Sequence, residues 1–319
     1  MLVPVRRLLL VSLAIVGAAQ LARVAPAARV GETGPILTVK LHAAPVALAL
    51  GSGSLWALAE NDSGAVVLRL DPETEARRAL VRVGPAGPDV GALAVARGRV
   101  WAAAGSTLLR LDPSRPRSVA RATLPGVATA VAVGQNGVWV VTIGQSDLLV
   151  RLNPRSLAVM ARIVIPVAAD SIEGPTPMAL AFGSVWVADG ETMLRIDPAD
   201  NRLSGSSSAA PETRDMTVAR RQLWTLAGGT IRLLDARGRL AGRLGLPFAG
   251  GRFAIGGERL WAIDNCGCPR GTLAELDLET GRVVATQPTG ETPVALAADL
   301  NGAWVASFGD ETIARYPVK

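Results

Sequence analysis

Histidine, cysteine and tyrosine are almost absent from this chain of 319 residues, which holds one histidine, two cysteines and one tyrosine. A Ser–His–Asp or Cys–His catalytic set needs a histidine beside its nucleophile, and zinc sites usually gather four His or Cys ligands. With only His42, Cys266 and Cys268 to supply such groups, the sequence shows no sign of either kind of site. We interpret His42 as a surface residue at the end of a strand.

Lysine is nearly absent as well, since Lys40 and Lys319 are the only two among 33 basic residues. The net charge is +6, but no run of five like charges forms a basic patch. We therefore expect no nucleic-acid partner. Charged residues make up 19% and hydrophobic residues 49%, which excludes a disordered chain and supplies a sizeable core.

A long hydrophobic run occurs only at the N-terminus. Arg6 and Arg7 precede an apolar run over 8–19, and "APA" at 25–27 has the form of a cleavage site. The run is short for a membrane span, which needs about 20 apolar residues. We predict that residues 1–30 are a signal peptide or an uncleaved signal anchor, with a buried helix as the remaining alternative. The protein would then be extracellular, periplasmic or tethered to the cell membrane.

The two cysteines stand in the segment "NCGCPRG". Exported proteins keep disulfides, but a bridge across a single glycine closes a tight and strained ring. We predict either a loop with two thiols or a local disulfide between Cys266 and Cys268. A redox or metal role is the alternative.

The tryptophans recur in a regular pattern along the chain. Each of the seven tryptophans stands in the same local phrase, such as "GSVWVADG", and they recur about every 41 residues. A period near 40 without a helical pattern indicates a propeller or solenoid. We interpret the indole rings as fillers between neighbouring repeats, with an aromatic ligand platform as the alternative. The tryptophans are Trp56, Trp101, Trp139, Trp186, Trp224, Trp261 and Trp304.

Each repeat reads as four strands separated by turns. In the first repeat the strands are "VALAL", "LWALAE", "VVLRLD" and "RRALVRV", and the Asp71–Pro72 pair caps the third turn. Four antiparallel strands in about 40 residues form one propeller blade. The sequence therefore predicts an all-β, seven-bladed β-propeller over residues 36–319.

The last repeat ends without a fourth strand, while the segment "ILTVKLH" at 36–42 precedes the first repeat and has no partner. Its apolar residues alternate with polar ones, as in a half-buried strand. We predict that 36–42 forms the outermost strand of the last blade and closes the ring.

The phrases "GSVWVADGETMLRIDP" and "LAELDLETGRVVATQPTGETPVALAADLNGAWVAS" resemble the YVTN/YncE-like seven-bladed propellers of bacteria, whose relatives include NHL-type and virginiamycin B lyase-like propellers. The resemblance covers 36–319. It implies the fold but not the function, because propeller blades host unrelated activities. The lyase branch implies a histidine, an acid and magnesium, and His42 does not match such a motif. The lactonase branch implies calcium held by Glu, Asn and Asp side chains.

Acidic and amide side chains collect near the turns that follow the tryptophan strands and in the link between the third and fourth blades. Because a propeller binds ligands at the mouth of its channel, these residues are candidate ligands. A calcium or magnesium ion held by Asp170, Asp189 and Asp264 is one interpretation, and a backbone preference of turns for Asp and Asn is the other. The candidates are Glu60, Asp170, Glu173, Asp189, Glu191, Asp264, Asn265 and Asp310.

Three functions fit these observations. The first is a monomeric binding or scaffold module outside the cytoplasm that needs no cofactor and recognises a protein, a peptide or a cell-envelope ligand. The second is a metal-dependent enzyme of the lactonase or lyase type. The third is a periplasmic sensor tethered by residues 1–30. We favour the first because the sequence carries no catalytic signature.

Overall fold

The computed structural model describes 28 β-strands in seven four-stranded antiparallel sheets, which form the blades of a ring. None of the residues described forms a helix that would cross a lipid bilayer. The predicted all-β, seven-bladed architecture is confirmed. The described residues are 34–74, 76–85, 91–135, 137–166, 174–264 and 270–319.

Blades one to six are each built from consecutive strands, so hairpins connect neighbours throughout. Blades one to three contain β2 (Ala44–Gly51), β3 (Ser54–Asn61), β4 (Gly64–Leu70), β5 (Arg77–Gly84), β6 (Gly91–Ala96), β7 (Arg99–Ala104), β8 (Thr107–Asp112), β9 (Arg115–Thr123), β10 (Val127–Gly134), β11 (Gly137–Ile143), β12 (Leu148–Leu152) and β13 (Val159–Val164). Blades four to six contain β14 (Met178–Ala181), β15 (Ser184–Ala188), β16 (Met193–Asp197), β17 (Arg202–Ser207), β18 (Asp215–Ala219), β19 (Gln222–Ala227), β20 (Thr230–Leu234), β21 (Leu240–Gly245), β22 (Gly250–Gly256), β23 (Arg259–Asp264), β24 (Thr272–Asp277) and β25 (Val283–Pro288).

Blade seven joins both ends of the described chain. It contains β26 (Pro293–Asp299), β27 (Gly302–Ser307) and β28 (Thr312–Pro317), and its outermost strand is β1 (Leu37–Lys40). The backbone N–H of Leu41 donates to the carbonyl of Glu311 at 2.8 Å. The predicted closure by 36–42 is therefore confirmed, and the strand ends before His42, which is exposed and has a φ of 59°.

The seven tryptophans fill the boundaries between blades. Each is at most 4% exposed and packs against the strands of the next blade, and Trp304 completes the series by packing against blade one. The residue opposite the tryptophan on the first strand is alanine in every blade except blade five, which has Thr217. A small partner leaves room for the indole, whose burial stabilises the fold by about 2–3 kcal/mol. The indole rings therefore fill the space between neighbouring blades, as predicted from the sequence.

An arginine on the third strand connects several blades to the next one. It stands opposite the tryptophan in five blades and lies over the indole ring at 5.2–5.9 Å in four of them. The Arg69 guanidinium also donates to the carbonyl of Pro113, in the Asp-Pro turn of the following blade, at 2.9 Å. The repeated Arg and Asp-Pro residues therefore hold successive blades together. These arginines are Arg69, Arg110, Arg151, Arg195 and Arg315.

The aspartate after the third strand caps the turn that follows, as predicted. The Oδ1 atom of Asp71 accepts a hydrogen bond from the backbone N–H of Glu73 at 2.8 Å. The corresponding side chain makes the same bond in five further blades. The repeated polar residue is thus explained by backbone hydrogen bonding.

Candidate functional site

The antiparallel order gives the ring two different faces. The mouth face carries the turns between second and third strands together with the links between blades. The base face carries the turns between first and second strands and between third and fourth strands. Because the first strand of each blade starts at the mouth face, the early residues of these strands lie nearest to the mouth of the channel.

The first strands enclose a central cavity of about 420 Å³. This size lies within the range of about 300–1,000 Å³ that is usual for small-ligand pockets. Most of the residues that line it have apolar side chains. The large apolar side chains include Leu48, Leu50, Leu93, Val131, Met178 and Ile255.

One position in each blade lines the cavity at the same register, nine residues before the tryptophan. Five blades place alanine or proline there, whereas blades five and six place Asp215 and Arg252. The two charged residues therefore stand on neighbouring blades within an apolar layer. The full set is Ala47, Ala92, Ala130, Pro177, Asp215, Arg252 and Ala295.

Asp215 binds the backbone of the neighbouring blade. Its Oδ2 accepts a hydrogen bond from the N–H of Phe253 at 2.9 Å, and its Oδ1 accepts one from the N–H of Met216 at 2.9 Å. Burial raises the pKa of Asp215 above its ordinary value, and the charge of Arg252 and these two N–H groups act in the opposite direction. The carboxylate therefore couples the inner strands of blades five and six.

Arg252 is the cation of the cavity wall. Its Nη1 donates to the carbonyl of Arg214 at 2.5 Å, and the described residues give the guanidinium no other hydrogen bond. A guanidinium has five N–H donors, so most of this capacity is left for a ligand or for water. Arg252 is thus the strongest donor that faces the channel.

Two buried hydroxyl groups add to the polar part of the cavity. The Oγ1 atoms of Thr129 and Thr176 lie 2.7 Å apart, on blades three and four. One of the two hydroxyl hydrogens makes this bond, and the other is left to donate elsewhere. The channel therefore combines apolar side chains with charged and hydroxyl groups from four successive blades.

Five of the predicted ligand-binding residues lie in the described part of the chain, and all five belong to the mouth face. Asp189 accepts the backbone N–H of Thr192 at 2.6 Å and its hydroxyl at 2.9 Å. Asp310 accepts the backbone N–H of Glu291 at 2.7 Å. These bonds fit a role in turns, and a ligand-binding role stays a prediction. The five residues are Glu60, which is buried, Asp189, Glu191, Asp264 and Asp310.

The other predicted residues lie outside the described residues. These are Asp170, Glu173 and Asn265, together with Cys266 and Cys268 and the N-terminal segment 1–30. Among the residues that are described, no three His, Cys, Asp or Glu side chains are placed to hold a metal ion. A calcium or magnesium site that includes Asp170 therefore stays a prediction, and so does the local disulfide.

Asp215 and Arg252 were not among the residues predicted from the sequence. A signal for them exists, because they interrupt a position that is otherwise small or proline throughout the repeats. The residues that follow each tryptophan strand lie in the mouth-face turns. The residue nine positions before each tryptophan lies in the channel wall.

No family model matches the chain, and no curated protein sequence matches it. Two solved structures with a similar fold are the β-propeller domain of Cps50 (Swd1) from Myceliophteria thermophila and the hydrazine synthase of Kuenenia stuttgartiensis. The first has a TM-score of 0.72 and 13% identity over 91% of this chain and 100% of that chain. The second has a TM-score of 0.67 and 14% identity over 88% and 97%. At these identities the similarity concerns the fold, a seven-bladed β-propeller.

Proposed function

We propose that this propeller is an exported or membrane-tethered binding module that takes a protein, peptide or cell-envelope ligand at the mouth of its channel. The observation that carries this proposal is the Arg252 guanidinium, which keeps unused donors and lines a cavity whose other lining residues are mostly of apolar type. Binding rather than catalysis is favoured because Asp215, the ionisable neighbour, is engaged with backbone N–H groups.

The cavity suits a ligand that has an apolar part next to a carbonyl or carboxylate group. A guanidinium binds such oxygens through its planar fork, and the interaction strengthens where apolar walls lower the local dielectric. The hydroxyls of Thr129 and Thr176 add a donor on the other side of the mouth. An extended peptide segment offers both apolar side chains and carbonyl oxygens, so it is the ligand class we favour.

Export rests on the sequence of residues 1–30, which has the tripartite form of a secretory signal. Membership of the YVTN/YncE-like group rests on the repeat phrases and is likewise part of this proposal. N-terminal sequencing of the mature protein separates a cleaved from a tethered form. A mature protein that stays in the cytoplasm and begins at Met1 would contradict the localisation.

A thermal-shift screen tests the binding function. The probes are capped dipeptides, longer peptides and soluble cell-wall fragments, because a compound that binds only the folded state raises the melting temperature by mass action. Any compound that raises it in the wild type is then tested on Arg252→Gln. The matched control is Arg202→Gln, which changes an exposed arginine on the outer strand of blade four.

The expected result is a shift that Arg252→Gln abolishes and Arg202→Gln keeps. Each variant is first melted without ligand, so that a loss of folding is not mistaken for a loss of binding. A ligand whose effect survives Arg252→Gln in full would show that the channel is not the binding site.

A further inference from the structure

A second cavity, of about 750 Å³, opens on the base face between blades two and three. Four arginines line it, and Trp101 forms part of its inner wall. We call it the arginine pocket, and its arginines are Arg97, Arg99, Arg110 and Arg155. It lies on the opposite face from the channel mouth, so it is independent of the proposed function.

Two blades supply these four side chains. Arg97 stands in the turn between β6 and β7, and Arg99 is the first residue of β7. Arg110 lies on β8, opposite Trp101. Arg155 stands in the turn between β12 and β13, on the neighbouring blade. Pairing of consecutive strands and packing of the two blades bring together residues that are far apart in sequence.

The repeats themselves show that the fold does not require this concentration of charge. At the position of Arg97 the other blades have serine, glutamine, phenylalanine, glycine, leucine and one arginine. At the position of Arg99 they have serine, glycine, glutamine and one arginine. At that of Arg155 they have glutamate, serine, alanine, one arginine and, in the last blade, Lys319. Among the blade boundaries described, all four positions are arginine only at this one.

Hydrogen bonds within the protein use only some of the donors of these four arginines. Arg110 donates to the carbonyls of Pro154 and Arg155 at 2.6 Å each, which is the bond that holds successive blades together. Arg97 donates to the carbonyl of Gly134 at 3.2 Å. For the Arg155 side chain, the described residues provide no hydrogen bond or ion pair.

The positive charge of the pocket is largely uncompensated. Asp112 is the carboxylate paired with one of the arginines, at 3.4 Å from Arg99. Four cations and one anion repel one another on balance, and a bound anion would relieve that repulsion. Guanidinium groups bind phosphate oxygens through two parallel N–H bonds, which gives both strength and geometric selectivity.

We propose that the arginine pocket binds the phosphate group of a small molecule. The cavity is larger than one phosphate, so it has room for the group that carries it, and the exposed Met160 offers that group an apolar wall. Arg155 and Arg97 donate hydrogen bonds to the phosphate oxygens of the ligand. Arg110 orients the pocket by holding the blades in place.

Isothermal titration calorimetry tests the proposal with inorganic pyrophosphate as the probe, at constant ionic strength. The variants are Arg155→Gln, Arg97→Gln and the pair combined, because glutamine keeps a polar side chain that can donate hydrogen bonds and removes the charge. Arg237→Gln is the matched control, since Arg237 occupies the same turn position in blade five as Arg155 does in blade three. A second arm uses vesicles of phosphatidylcholine and phosphatidylglycerol, which present the phosphate on a lipid headgroup.

We expect Arg155→Gln to weaken pyrophosphate binding about tenfold or more, because it removes charge-assisted hydrogen bonds. The double variant should weaken it further, and Arg237→Gln should leave it unchanged, with all variants folded by circular dichroism. The same pattern on vesicles alone would identify a lipid as the source of the phosphate. The proposal is overturned if the wild type binds neither probe, or if Arg237→Gln weakens binding as much as Arg155→Gln does.

Discussion

The seam between β1 and β28 offers a direct test of how the ring is held together. Leu41 follows β1 immediately, is 8% exposed, and packs in the cluster that joins blades seven and one, beside Trp304 and Leu55. The perturbation is Leu41→Ala, which leaves the backbone pairing of β1 intact and removes the apolar side chain that anchors it.

The expected loss in the free energy of unfolding is about 2–4 kcal/mol. Leucine-to-alanine changes in cores cost about 2–5 kcal/mol, and the upper part of that range is not expected at a position beside an outer strand. A loss of this size is a large fraction of the total stability of about 5–15 kcal/mol that is usual for a domain. The effect should therefore be large enough to measure without ambiguity.

Urea denaturation followed by tryptophan fluorescence is the assay. The control is Leu80→Ala, since Leu80 lies on the outer strand β5 and is 52% exposed. That change should shift the unfolding free energy by about 0.5 kcal/mol or less. Deletion of residues 36–42 should have a stronger effect and remove the single cooperative transition. If Leu41→Ala unfolds at the same urea concentration as the wild type, the packing of Leu41 at the seam does not stabilise the ring.

Three further predictions concern the packing and the charges of the ring. Trp304→Ala should lower the free energy of unfolding by about 3–5 kcal/mol, because it empties the boundary between blades seven and one, and chemical denaturation measures this loss. Gly256→Ala should also destabilise strongly, since a Cβ at this position would overlap the carbonyl oxygen of Asp299. Gly245→Ala, where a Cβ meets open space and the backbone is not left-handed, should cost much less. The pKa of Asp215 is raised on folding, so its ionisation costs stability as pH rises above the ordinary value of 3.8, and Asp215→Asn should make the unfolding free energy fall less steeply from acid to neutral pH than in the wild type. Denaturation at a series of pH values checks this, and a pH dependence that Asp215→Asn leaves unchanged would contradict a raised pKa for Asp215.

Much of the fold could be predicted because its determinants recur locally in the sequence. Each tryptophan stands in the same phrase, each Asp71-like residue caps its own turn, and the alternating pattern of 36–42 needs no distant information to indicate a strand. Even the seam followed from counting strands, since one repeat lacked what the N-terminal segment could supply. Repetition turned a weak signal in one blade into a strong signal over seven.

The candidate sites were harder to predict because they depend on register between repeats. Asp215 and Arg252 meet because they occupy the same position in neighbouring blades, and Arg97 meets Arg155 because two different turns open on one face. Neither pair forms a motif in the sequence. The chemistry-bearing residues stand out only when each repeat is compared with the others and the blades are placed side by side.

The pairing of β1 with β28 also constrains the order of folding. All other sheets form from consecutive strands, whereas this pairing joins segments separated by almost the whole described chain. Contacts between such distant segments form late, because a large loop must first close and its closure costs conformational entropy. A newly made polypeptide therefore carries β1 as an unpaired edge until the last blade emerges. Its length of only four residues and its outward-facing Lys40 limit the chance that another chain will pair with it first.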